Sequence, residues 1–181
     1  MFSAKKFVKK NERKIRLLAR FLVVFNLLAI PMYAVMLSGA QLPALQDATT
    51  TVVFAIFRLL GYDATRSGTT IALGAPLDVN IAIDTDCAAW KSMYAYAALV
   101  LATPFTIGRT RRLKLVLAGV AVLFALNVVR IVSTAAAAMA FGIATLDVVH
   151  TVLWREGMIL AVVLLWFLAV RGYRGQPKGK K

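Results

Sequence analysis

The run from Leu17 to Leu37 is 21 largely apolar residues that follow directly on a basic segment. As a helix rising 1.5 Å per residue, it matches a bilayer hydrocarbon core of about 30 Å. A soluble chain of this size has little interior in which to hide such a segment. The rest of the sequence makes the same demand, with 60% hydrophobic residues and a mean hydropathy of +0.74, well above what a soluble core requires. Ser38-Gly39-Ala40 has the small-x-small pattern of a signal-peptidase site. The run is nonetheless longer than the roughly 7 to 15 apolar residues of a signal peptide, so it reads as an uncleaved anchor. Pro31 inside it removes one helical donor, which membrane helices tolerate when a neighbour satisfies the freed carbonyl.

The formal charge of +14 does not point to nucleic acid, because 17 of the 22 Lys and Arg fall in three blocks, Lys5 to Arg20, Arg109 to Lys114 and Arg171 to Lys181. Basic blocks between apolar runs are topology signals that stay on the cytoplasmic side. Further spans are expected at Ala88 to Ile107 (interrupted by Lys91), at Leu113 to about Ala138 (containing Arg130) and at Val152 to Val170 (with Arg155 and Glu156 near its start). Thr49 to Leu60 is too short to span and carries Arg58, so it is expected to be an interfacial or partly re-entrant helix. Arg66 to Leu73 and Val79 to Ile83 are β-rich runs broken by Gly74-Ala75-Pro76, and suggest a small hairpin against the membrane.

The expected fold is an all-α polytopic membrane protein. It has about four transmembrane helices, an interfacial helix and a small extracytoplasmic hairpin. The whole chain, 1–181, reads as one integral membrane domain: a basic cytoplasmic segment (1–16), the first span, an extracytoplasmic segment (38–86), a three-helix part (87–171) and a basic cytoplasmic tail (172–181). An even number of spans puts both termini inside the plasma membrane.

That topology brings three distant residues to one level. Cys87, the only cysteine, begins the second span at the outer surface, and His150, the only histidine, precedes the fourth. Arg130 lies about 25 Å along its helix from Leu113, near the outer boundary. A lone membrane-helix cysteine is ordinarily a small apolar filler, and a lone interfacial histidine is ordinarily a headgroup-level residue. An arginine inside a span is costly and marks a functional site unless it snorkels to the interface. One Cys and one His with scattered Asp do not make a metal-ligand set, so no metal or cofactor is expected.

Four segments, taken in order, resemble the signatures of the exosortase/archaeosortase family. They are Gly61-Tyr62-Asp63-Ala64-Thr65-Arg66-Ser67-Gly68-Thr69, Asp86-Cys87-Ala88-Ala89, Asn127-Val128-Val129-Arg130-Ile131, and Asp147-Val148-Val149-His150-Thr151-Val152-Leu153-Trp154. The resemblance implies a membrane cysteine transpeptidase or protease. Such enzymes cleave surface proteins at a carboxy-terminal tail of short motif, membrane helix and basic cluster, through a thioester, and transfer them to a lipid or glycan acceptor at the cell surface. It maps the catalytic residues onto Cys87, Arg130 and His150. The family commonly has a small polar residue and then glycine after the cysteine, where this chain has Ala88-Ala89.

The chemistry is coherent with those roles. A thiol at the first turn of a helix is acidified by the free N–H groups there, and an activated Cys87 labels faster than an ordinary thiol. Asp86 opposes this by repulsion or caps the helix, and Lys91, one turn on, favours thiolate or snorkels. His150 suits the acid and base role, and Arg130 suits stabilisation of an oxyanion. Asn127, one turn from Arg130, supports it or donates to the oxyanion, and Asp147 orients His150 or is a simple helix-start carboxylate. Two other readings use the same residues differently: a non-enzymatic assembly or binding subunit that docks an acidic partner on Arg130, and a small anion transporter.

Overall fold

The computed structural model describes residues 4–74, 79–104, 107–142, 149 and 155–174. Five α-helices lie among them: α1 (Ala4–Ser38), α2 (Pro43–Leu59), α3 (Trp90–Ala102), α4 (Arg109–Phe141) and α5 (Arg155–Arg174). Between α2 and α3 stand three short strands, β1 (Ala64–Ser67), β2 (Thr70–Leu73) and β3 (Val79–Ala82), and a 3-10 turn at Asp86–Ala88.

The basic amino-terminal segment and the first apolar run are one continuous helix, α1, whose charged part carries a Glu12–Arg16 pair at i, i+4. It stops at Gly39, which takes φ +64, a backbone state open to glycine and awkward for other residues. In α1, α4 and α5 large apolar side chains face outward, among them Leu27, Ile30, Leu117, Val129, Leu160 and Leu164, each more than half exposed. Water would penalise these faces and lipid would not. Among the described residues two helices, over Asn11–Ser38 and Arg109–Phe141, are long and apolar enough to cross a membrane. The 13 residues of α3 extend about 20 Å and the 20 residues of α5 about 30 Å. The second apolar segment is thus helical over a shorter stretch than the expected Ala88 to Ile107.

α3 is the hub of the helix packing. Tyr96 presses on Gly119 of α4 so closely that a Cβ there would fall 2.0 Å from the ring, and its hydroxyl donates to the Leu115 carbonyl at 3.2 Å. Tyr94 donates to Leu28 of α1 at 2.8 Å, and Trp166 of α5 donates its indole N–H to Thr103 at 2.8 Å. Arg112, on the first turn of α4, donates to the Leu101 carbonyl at the far end of α3. The cationic block therefore covers an orphan carbonyl there, although positive charge at the start of α4 opposes that helix's own dipole.

The expected hairpin is instead a three-stranded antiparallel meander, β1-β2-β3. The run read as one strand from Arg66 to Leu73 folds back on itself, with Ser67 opposite Thr70 and Gly68 at φ +58 in the two-residue connection. The Ser-Gly dipeptide is the turn signal that splits it. The sheet does not lie bare on the membrane. Ile71 and Leu73 pack with Val53 and Phe57 of α2 and with Val128, Ile131 and Ala135 of α4 in one buried cluster. α2 itself is longer than the expected Thr49 to Leu60, because Pro43 at its first turn is preorganised for a helix start. Its buried stripe of Gln46, Thr49, Thr50, Val53 and Phe57 explains why a segment too polar for lipid is held: it faces protein.

Candidate active site

The segment from β3 to α3 is pinned from several sides. Thr85 donates to Gln41 at 2.7 Å, tying the turn to the loop after α1, and Gln46 of α2 reaches the Ile83 carbonyl at 3.5 Å. Asn127, fully buried on α4, donates its side-chain amide to the Cys87 carbonyl at 2.7 Å. Asn127 therefore holds the cysteine's backbone from α4.

Cys87 is not in the first turn of a long helix, as expected. It sits inside the 3-10 turn Asp86–Ala88, and α3 begins only at Trp90. Ala89 separates the two in the left-handed region at φ 54, the only non-glycine among the described residues to do so. The family resemblance implies glycine at this position, and a positive φ is the backbone state that glycine takes without strain. A residue with a Cβ is accommodated at a cost of about 1–2 kcal/mol.

Asp84 is the carboxylate that governs the thiol. Its Oδ1 accepts the Cys87 backbone N–H at 2.7 Å. Asp86, expected to repel the thiolate or cap the helix, pairs with Lys91 at 2.7 Å, which also occupies the ammonium expected to favour thiolate. Burial pushes the Cys87 thiol up, and Asp84 adds to this by accepting its hydrogen and repelling the anion. The Asp84 backbone and the Arg130 charge pull the other way without prevailing, and the thiol is pushed up from 9.0 to about 11. The direction is opposite to the acidification expected from a helix amino terminus.

Cys87 and Arg130 line the same cavity, of about 220 Å³. Its walls are otherwise β3, Leu73 and the α4 residues Ile131, Thr134, Ala135 and Ala138. They are mainly apolar, with polar atoms confined to a few points, the composition of a site that binds by shape and orients by a few donors. Thr134 is 7% exposed, and its hydroxyl has no hydrogen-bond partner among the described residues. Sequence reasoning passed over Asp84 and Thr134. An Asp three residues before a turn residue is a capping pattern and was open to reading, whereas nothing in the sequence aims Thr134 into a cavity. His150 and Asp147 lie outside the described residues, as does the side chain of Arg155.

No curated protein and no solved structure matches the chain. A family model, transmembrane exosortase (Exosortase_EpsH), matches residues 11–170, which include α1 through most of α5. With nearly the whole chain matched, from the anchor helix past the Cys87 and Arg130 cavity, the protein belongs to the transmembrane exosortase family.

Proposed function

We propose that this protein is a membrane cysteine transpeptidase or protease that cleaves surface proteins at a carboxy-terminal sorting tail. It crosses the membrane four times with both termini cytoplasmic, α3 and α5 completing the set begun by α1 and α4. The observation that carries this reading is the shared cavity of Cys87 and Arg130, residues from separate parts of the chain, inside a family-matched region.

In the proposed reaction His150 takes the Cys87 thiol proton and Sγ attacks the scissile carbonyl carbon. Arg130 stabilises the oxyanion that forms. The C–N bond then breaks, His150 returns the proton to the departing amine, and the tail leaves with a free amino end. The body of the substrate remains as a thioester on Cys87. A hydroxyl or amine of a surface lipid or glycan, or water, attacks the thioester carbonyl and gives its proton to His150; the C–S bond then breaks and His150 passes that proton to Sγ, restoring the thiol. The thiol pushed up to about 11 supports a base-dependent attack, since little thiolate exists at neutral pH without a partner that removes the proton.

Mass spectrometry of membranes carrying wild-type protein or Cys87→Ala tests this reading. A surface protein that keeps its basic tail only in the variant is the expected result. Equal tail removal in both would overturn it.

A further inference from the structure

The cavity beside Cys87 touches all four residues of β3, Val79, Asn80, Ile81 and Ala82, but only Leu73 of β2. Successive strand residues point to opposite faces, so a cavity that meets all four runs along the strand's edge and not beneath one face. The direction of the backbone groups follows from the register. Ile83 donates to Thr69 at 2.9 Å, and Ile81 and Val79 lie two and four residues back, opposite Ile71 and Leu73. The pairs Ile71–Ile81 and Leu73–Val79 are therefore the hydrogen-bonded ones. The pairing of β1 with β2 agrees, since Gly74 donates to Asp63 and this turns Thr70 and Ala72 toward β1. The N–H and C=O groups of Asn80 and Ala82 consequently point away from the sheet, and no strand among the described residues pairs with them.

Across the cavity stands the buried Thr134 hydroxyl, without a partner among the described residues, between the small or branched side chains of Ile131, Ala135 and Ala138. A slot with main-chain donors and acceptors on one wall and a lone hydroxyl on the other suits an extended polypeptide. Buried polar groups left unfilled are costly, and a peptide strand supplies the complementary pattern at the same spacing.

We propose that the substrate binds as an added strand on the free edge of β3, paired with Asn80 and Ala82 and facing Thr134, which carries its scissile carbonyl to Cys87 and Arg130. This rests on the reading of Cys87 as the acyl-transfer nucleophile and adds the form in which the substrate is held. Recognition then lies partly in the peptide backbone, with side-chain preference set by the apolar wall of α4. A helical or bulky folded segment does not fit the slot.

The test uses the full-length protein in detergent micelles and compares two reagents in mildly alkaline buffer. One is a degenerate library of tetrapeptide vinyl sulfones, and the other is methyl vinyl sulfone, which lacks a peptide. In both, Sγ adds to the alkene carbon β to the sulfone and a proton is taken up at the carbon α to it, so intact mass reports labelling of Cys87. The library is expected to label faster, on the order of tenfold after normalisation to methyl vinyl sulfone. Ala82→Pro removes an outward N–H that β2 does not use, and is expected to cut the peptide advantage about three- to tenfold. A second arm leaves the protein unchanged and N-methylates the peptides at odd or even amides; strand pairing predicts losses that alternate with period two. No peptide advantage, or equal loss at odd and even amides, would overturn the proposal. Labelling reads peptide binding beside Cys87 whether or not tails are cleaved, so its failure is separate from failure of the tail-cleavage reading.

Discussion

Asp84 and Cys87 are joined through the backbone, the carboxylate accepting the cysteine N–H at 2.7 Å, and the same carboxylate, second to burial, holds the thiol above its ordinary value. The same residue thus positions Cys87 and restrains its ionisation. Asp84→Asn keeps an acceptor for the N–H while removing the negative charge. The sign follows directly: a carboxylate raises the thiol pKa, so its loss lowers it and increases thiolate at neutral pH. Alkylation of Cys87 by iodoacetamide is expected to rise about three- to tenfold at pH 7. In the wild type the rate should keep climbing with pH toward about 11. A wild-type plateau near neutrality, or an unchanged rate in Asp84→Asn, would contradict the assignment.

Arg130→Lys keeps one positive charge and loses the planar fork of donors. Tail cleavage should fall by about 10²- to 10³-fold if the guanidinium serves the oxyanion. Thermal unfolding in micelles should change little. Normal cleavage by this variant would remove Arg130 from the reaction.

Asn127→Ala leaves the Cys87 carbonyl without its side-chain donor, at a position where α4 excludes solvent. The expected cost is about 1–3 kcal/mol of stability, together with slower turnover in cleavage assays because the Cys87 backbone loses a contact that positions it. Asn127→Asp restores an isosteric side chain but presents oxygens to a carbonyl, and should not rescue. Denaturant titration beside the cleavage assay separates the two effects.

Ala89→Val places a β-branched residue in the left-handed region, where even alanine is strained. The site is also buried, so the added bulk and the backbone together should cost about 2 kcal/mol or more. Ala89→Gly should fold at least as well as its larger relatives, since it relieves the backbone while giving up one methyl. Comparative melting of the two variants checks the order.

Gly119→Leu tests the packing that sets α3 against α4. Even a Cβ would collide with the Tyr96 ring, so the helices must separate or the ring must turn and lose its bond to Leu115. A loss of about 1–3 kcal/mol is expected, read as a lower melting temperature.

The membrane character was legible because long apolar runs and blocks of Lys and Arg are first-order signals. Leu17 to Leu37 falls inside one helix, and Leu113 to Ala138 falls within α4. The sheet was harder. Ser67-Gly68 marks a reversal inside a run whose Thr69, Thr70 and Ile71 favour strand, and the turn signal was outweighed by its neighbours. α2 begins six residues before the expected Thr49, and the burial of Gln46 in that added part depends on tertiary contacts that the sequence does not announce.

At the site, sequence order and helix rise sufficed to bring Cys87 and Arg130 together. The Asp84 capping pattern is visible in the sequence, but the 3-10 turn and left-handed Ala89 that set Asp84 and not Asp86 on Cys87 follow from no periodicity. The free edge of β3 depends on a register that only the paired structure supplies.

The thioester itself is the most direct target. Intact-mass and peptide-level mass spectrometry of the protein expressed with a tailed substrate should find an acyl fragment on the peptide containing Cys87, released by neutral hydroxylamine and absent from Cys87→Ala. Continued tail cleavage by Cys87→Ala, with no adduct on the wild type, would contradict a cysteine transpeptidase.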